Sequence, residues 1–325
     1  DSVIAQMLKT AGISFHTFKD QVIFEKNEVL KDDGLPYTIF TPYSRKWKAK
    51  LSDYFLKSYP STAYLSHLSK CAETSDCPSM EDLGFSDVQL FPFPERIVHD
   101  ELVRAYQENR DFPIKNGTSK LSVHLRFGTI SIRQLARQAH LNNETFLNEL
   151  IWRDFYQMII YHFPHSVNGS FKKQYDKIVW EHNEQHFKSW CEGKTGYPLV
   201  DAGMRELNKT GFMHNRVRMV VASFLTKHLL IDWRWGESYF AQKLMDFELA
   251  SNIGGWQWAA GCGCDAAPYF RVFNPTAQQE KFDKQKQYIQ KWVPEFGSSS
   301  YPEPIIDHAF ARDRVLTRFK QALND

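Results

Sequence analysis

The sequence predicts a mainly α-helical protein preceded by a short piece of α/β structure. From Glu95 onward, apolar residues recur at three- and four-residue spacing in 97–106, 131–139, 144–162, 199–208, 214–231 and 237–249. That period lines one face of an α-helix. Strand-like alternation is scarce over the same stretch, and neither an internal repeat nor a long heptad run is present. Only the first residues differ, with one amphipathic stretch followed by short alternating runs.

In chain order, Val3 to Thr10 reads as a helix with Gly12 as its stop. Ile13 to Phe18 and Gln21 to Glu25 read as strands or strand ends. One helix and a strand do not make a domain, so residues 1–40 are expected to be the end of an α/β unit. Residues 41–94 are expected to be a connector rich in Pro, Gly, Ser and Thr, with a short helix near Arg45 to Lys57. Residues 95–325 form the helical domain and carry most of the aromatic side chains.

The length of 325 residues suggests two domains. Lys and Arg number 40 against 38 Asp and Glu, which excludes bulk coating of nucleic acid but not a local basic patch. With 25 Phe, 14 Tyr and 9 Trp, the aromatic content points toward flat ligands, stacked bases or electron transfer. The longest strongly apolar runs, such as Met219 to Leu225, fall far short of the roughly 20 residues that span a bilayer. DSVIAQMLK lacks the pattern of a signal peptide. Cys71, Cys77, Cys191, Cys262 and Cys264 are expected to be reduced cytosolic thiols, without metal-site spacing.

Four constellations carry chemistry. Gly117-Thr118-Ser119-Lys120-Leu121-Ser122 combines small residues, hydroxyls and a lysine at a helix start, which suits an anion. It lies within residues 104–138, where seven Lys/Arg face two Asp/Glu. An ordinary capped helix start reads the same way. Glu149, Trp152, Arg153 and Tyr156 fall on one helix face, either as a half-open pocket or as a Glu149–Arg153 ion pair beside a surface indole. Arg216 and Arg218 open an apolar helix and need anionic partners, with Asp246 and Glu248 as candidates. In Gly254-Gly255-Trp256-Gln257-Trp258, the two indoles at i, i+2 must point in different directions.

TPYSRKW, GTSKLSVHLRFG, ELIWRDFY, GKTGYPLVDAGMREL, GFMHNRVRM, LIDWRWGE and DFELASNIGGWQWAAGCGCDAAPYFRVFNP occur in this order between about residues 38 and 282. Together they resemble the DNA photolyase/cryptochrome family. ELIWR, MHNR and GGWQW are similar to the class I enzymes acting on cyclobutane pyrimidine dimers. The resemblance implies a helical domain holding FAD, preceded by the truncated end of an α/β, Rossmann-like antenna domain. The antenna domain's opening strands are not in this sequence, which leaves the antenna chromophore unassigned.

By the same resemblance, Tyr106, Thr118, Ser119 and Ser122 line the FAD phosphates and ribityl chain, with Lys120 and Leu121 between them. Arg218 and Asp246 match the ion pair beside the flavin ring, and Asn252 the residue facing N5. Glu248 stands where the family usually has Asp. Glu149, Trp152, Asn215, Met219 and Trp258 match the pocket for a flipped dimer, Trp152 also bordering the flavin. Arg153, Arg216 and Arg271 match phosphate-holding positions. Trp256, Trp233 and Trp180 match a chain of indoles carrying electrons inward.

The resemblance therefore implies a light-dependent lyase that repairs pyrimidine dimers in damaged DNA with reduced FAD and no metal. It would act as a monomer, in the cytoplasm and nucleoid-associated in a bacterium. The alternative is a cryptochrome-type blue-light receptor that binds FAD without repairing DNA. Intact Glu149, Trp152, Asn215 and Trp258 favour repair.

Overall fold

A computed structural model describes residues 1–68, 76–86 and 93–324. Cys71 and Pro92 of the expected connector lie outside the described residues. Among the described residues the regular structure is entirely helical. Helix α1 (Ser2–Thr10) ends at Ala11, followed by Gly12 at φ +71°, the left-handed stop the sequence predicts. No side chain of α1 is buried, and Val3, Ile4 and Met7 are exposed.

The two expected strands do not form. Residues 13–25 are irregular, yet Val22, Ile23 and Phe24 are deeply buried. The N–H groups of Ile23 and Phe24 donate to Asp154 Oδ2, at 3.2 and 3.0 Å, instead of to a neighbouring strand. A buried N–H needs an acceptor, and here a side chain supplies it. The Trp47 indole donates to the same oxygen at 2.9 Å, while Asp154 Oδ1 is buried without a partner.

The expected helix near 45–57 is two helices, α2 (Phe40–Lys50) and α3 (Asp53–Leu56), separated at extended Leu51 and Ser52. Tyr43 and Trp47, one turn apart, form the buried face of α2. The 97–106 period likewise resolves into α4 (Asp100–Arg104) and α5 (Tyr106–Asn109). After α6 (Ser122–Phe127), α7 (Ile132–Asn142) and α8 (Glu144–His162) follow the predicted segments closely. Asn143 caps α8 by accepting from Phe146 N at 3.1 Å. Phe146, Leu147, Leu150, Ile151, Phe155, Met158 and Ile159 form its buried face. Each such side chain contributes about 1.5–3 kcal/mol relative to exposure. They pack with α2, α4, α6 and α7 into one core.

A second core lies among α9 (Glu184–Glu192), α10 (Pro198–Thr210), α11 (Asn215–Ser223), α12 (Trp233–Lys243) and α13 (Leu249–Ala260). After α14 (Pro275–Phe282), α15 (Gln287–Trp292) and α16 (His308–Asn324) close that core. The 214–231 period passes from α11 into a π-helical turn at Phe224–His228. That turn directs Lys227 inward, where its Nζ donates to Ala260 O at 2.8 Å and lies 4.1 Å from the Phe319 ring. The 237–249 period is not one helix. α12 ends at Lys243, and Glu248 starts α13 by accepting from Ala250 N and Ser251 N.

Two close approaches set how α13 sits. A Cβ on Gly254 would lie 2.3 Å from the Tyr156 ring of α8, and one on Gly236 would lie 2.0 Å from the Trp256 indole. Only glycine allows these crossings. They place α13 between the two cores.

Candidate flavin and substrate site

The Gly117–Ser122 segment turns through Lys120 in the left-handed region at φ +54°. Leu121 caps α6, with no side-chain capping bond, and its own side chain is buried in the core. Leu121 therefore presents backbone rather than side chain to a ligand. Ser122, the first residue of α6, donates from Oγ to Asp246 Oδ2 at 2.6 Å. Arg218 Nη2 reaches both oxygens of the same carboxylate, at 3.0 and 3.2 Å, and Arg218 Nε donates to Met213 O at 2.7 Å. The Asp246 side chain is 7% exposed and that of Arg218 25%. Lys120 Nζ and Arg218 also lie 5.4 and 5.7 Å from the same Phe212 ring. Segments from three parts of the chain thus join the hydroxyl-rich turn to the ion pair.

Asn252, in the first turn of α13, donates to Glu237 through O at 3.1 Å and Oε1 at 2.9 Å. Glu248 accepts from Ala250 N, Ser251 N and the Ser251 hydroxyl, so its carboxylate anchors the first turn of α13.

Glu149 does not pair with Arg153. Its carboxylate receives a hydrogen bond from Arg110 Nη1, a residue the sequence reading did not single out. Burial pushes the Glu149 carboxyl above the usual range, and the Arg110 charge opposes that rise. The adjacent Asp111 takes the other sign, accepting from Arg216 Nη2 at 2.6 Å. Arg216 is therefore paired with Asp111 and not with Glu248, and its guanidinium lies 4.4 Å from the Phe282 ring. Residues 110 and 111 clamp α8 to α11 through opposite charges. The signal was an Arg-Asp pair inside the basic window. Its partners are set only by tertiary structure.

Arg153 is engaged within the protein. Its guanidinium donates to the Gln21 and Leu125 carbonyls. Trp152 stacks on Phe40 at 3.7 Å with an interplanar angle of 3°, so one indole face is already covered. Tyr106 packs edge-on against Phe146 and lies 5.4 Å from Arg110. Asn215 and Arg271 are exposed, while Met219 and Trp258 are half-buried. Trp256 points the other way, buried beside Trp190 and Phe240. Trp233 is buried in that core, and Trp180 packs at its edge against Phe319. Cys262 and Cys264 are free thiols, pushed by burial to about 12 and about 11.

A helical fold with clustered hydroxyls, a lysine and a buried Arg–Asp pair defines a protein suited to a dinucleotide bearing both phosphates and a polar ring. Residues 146–300 match the FAD binding domain of DNA photolyase, and residues 1–63 match DNA photolyase. A deoxyribodipyrimidine photo-lyase of Alkalihalophilus pseudofirmus is 37% identical over 368 residues, covering 98% of this chain and 75% of its own length. The crystal structure of a bacterial class III photolyase from Agrobacterium tumefaciens has a TM-score of 0.86 at 32% identity, covering 100% of this chain and 77% of that chain. That of an archaeal photolyase from Sulfolobus tokodaii with two FAD molecules has a TM-score of 0.77 at 34% identity, covering 99% and 75%. The chain belongs to the DNA photolyase family, and its cofactor is FAD.

The donor set fits that cofactor. Thr118, Ser119 and Ser122 offer hydroxyls and Lys120 positive charge near one another, as a pyrophosphate requires. The Arg218–Asp246 pair offers a cationic donor and an anionic acceptor side by side, as a flavin ring edge requires.

Proposed function

We propose that the protein is a deoxyribodipyrimidine photo-lyase, splitting cyclobutane pyrimidine dimers in DNA under blue light. Bound FAD supplies a light-driven one-electron donor. Ser122, Arg218 and Asp246 hold and orient it, and Asn252, in the first turn of α13, is the residue the resemblance assigns to the flavin N5. Glu149 is the group that addresses the dimer. Its burial favours the neutral carboxyl, which can donate a hydrogen bond to a pyrimidine carbonyl as negative charge builds there. Trp258 presents a half-buried indole on which a base can pack. Trp152, braced by Phe40, keeps one face fixed and offers its edge and remaining surface. Exposed Asn215 and Arg271 lie where the DNA strand is bound, while Arg216 reaches it only by sharing Asp111.

The observation that carries this reading is the convergence of Ser122, Arg218 and Asp246 in a chain of this family. Residues 1–40 are assigned to the antenna portion, which the DNA photolyase match over residues 1–63 supports. Action as a cytoplasmic monomer on nucleoid DNA completes the reading. The free thiols Cys77, Cys191, Cys262 and Cys264 fit a reducing compartment. Among the described residues, no helix is long and apolar enough to cross a membrane. Glu149→Ala tests the assignment: it should lower repair yield while FAD stays bound. Unchanged repair would remove Glu149 from the substrate pocket.

A further inference from the structure

Trp256 packs against rings other than the indoles that the resemblance links to it. Its ring lies 6.0 Å from Trp190, edge to face. Trp190 lies 5.8 Å from Tyr239, also edge to face, and both pack against Phe187. Trp190 is fully buried, whereas Tyr239 is half-buried. The Tyr239 hydroxyl donates to Asn208 Oδ1 at 2.6 Å, and Asn208 is exposed. Asn208 lines an open cavity of about 530 Å³ together with Glu192, Arg205, Lys209 and Lys291, Arg205 being paired with Glu295 at 2.7 Å. A row of oxidisable rings therefore runs from Trp256 to solvent on the α9–α12 side of the core.

We infer that Trp190 and Tyr239 form a second electron-entry branch that meets the proposed Trp233–Trp180 branch at Trp256. Electron tunnelling falls steeply with edge-to-edge distance, and rings with centroids about 6 Å apart have their edges in contact. Trp256 gives one electron to the photoexcited, oxidised flavin and becomes an indole radical cation. Trp190 refills Trp256, and Tyr239 refills Trp190. As the Tyr239 electron leaves, its phenolic proton departs through the Asn208 contact to water, leaving a neutral tyrosyl radical. A small reductant such as ascorbate, entering the cavity that Lys209 and Lys291 help to line, returns one hydrogen atom (one electron with one proton) to Tyr239. One electron enters the flavin for each one taken from the reductant.

The inference rests on the reading that Trp256 adjoins the flavin, and the test separates the two. Protein carrying oxidised FAD is illuminated with ascorbate present, as Trp233→Phe alone and combined with Tyr239→Phe or Trp190→Phe. Photoreduction rate is followed together with the tyrosyl radical seen by electron paramagnetic resonance. Light-induced oxidation is then mapped residue by residue by mass spectrometry. Trp233→Phe should keep a tyrosyl signal with oxidation at Tyr239. Adding Tyr239→Phe should abolish that signal and slow photoreduction roughly tenfold. Tyr239→Phe keeps the ring and removes one half-exposed hydroxyl, so folding is not at issue, and Trp190→Phe should give the same loss. An unchanged signal and rate in the Tyr239 double variant overturns the branch while leaving Trp256 in place. Unchanged photoreduction in Trp256→Phe overturns the placement of Trp256 and the branch with it.

Discussion

The Ser122 hydroxyl donates to Asp246 Oδ2 across 2.6 Å, although 124 positions separate the two residues in the chain. This bond joins the turn that suits a phosphate to the carboxylate that Arg218 holds. Neither residue is distinctive alone. Their contact makes one site out of α6, α11 and the α12–α13 link.

Asp246→Asn tests that contact. It leaves Arg218 half-buried without a compensating charge, a loss of about 3 kcal/mol where one partner of a buried pair is removed. FAD retention measured by release of flavin fluorescence should fall at least tenfold. Ser122→Ala should cost about 1 kcal/mol, the usual worth of a single hydrogen bond.

Arg110→Gln addresses the Glu149 carboxyl. Arg110 is its cationic partner and holds the pKa down against burial, so its removal raises the pKa further. The neutral carboxyl then persists to higher pH. The alkaline limb of the repair profile should move upward, even where overall yield drops through weaker substrate binding. An upward move of the acid limb, with the alkaline limb in place, would show that the carboxylate is the working form.

His214 caps α11, accepting from Arg216 N at 3.2 Å through Nδ1, while its Nε2 is buried without a partner. Burial, together with Arg218, pulls its pKa down from 6.5 to about 4. A histidine depressed in the folded state gives stability that is present above pH 6.5 and lost as pH falls through 4. The loss amounts to about 3 kcal/mol across that window. His214→Asn keeps a capping side chain and should flatten the acid limb of the thermal-stability curve.

Asp154 moves the other way. Its carboxyl is raised by burial from 3.8 to about 6, despite accepting from Trp47, Phe24 and Ile23. All three donors converge on Oδ2, which leaves Oδ1 as the place for the proton. The associated stability is present below pH 3.8 and lost as pH rises through 6. Asp154→Asn should abolish that component, and stability of the two proteins measured from pH 4 to 7 checks it.

The helical period predicts α7, α8 and α10 well because each has a continuous buried stripe. It runs through the α12–α13 break because Leu244 and Phe247 keep helical spacing within it, and no period reveals that Glu248 is spent on a cap. Ile13 to Phe18 and Gln21 to Glu25 alternate like strands. The buried Asp154, more than 100 residues away, takes the second segment's backbone donors instead. A cation heading an apolar helix needs an anion, which made Asp246 and Glu248 candidates for Arg216 and Arg218, and the family resemblance singled out Arg218 with Asp246. The Arg110–Glu149 and Asp111–Arg216 pairs were not legible, since nearest neighbours in sequence offered plausible rival partners. For the tryptophans, residue type suggested electron transfer, but only ring geometry shows Trp190 beside Trp256 and Tyr239 beside Trp190.

The most direct measurement is repair of a defined thymine dimer in an oligonucleotide by the purified protein carrying reduced FAD. Blue light should restore the two thymines with no net consumption of reductant, and darkness should leave the dimer intact. Absence of light-dependent splitting with FAD fully bound, reduced and in excess over substrate would contradict the assignment as a dimer-repairing lyase.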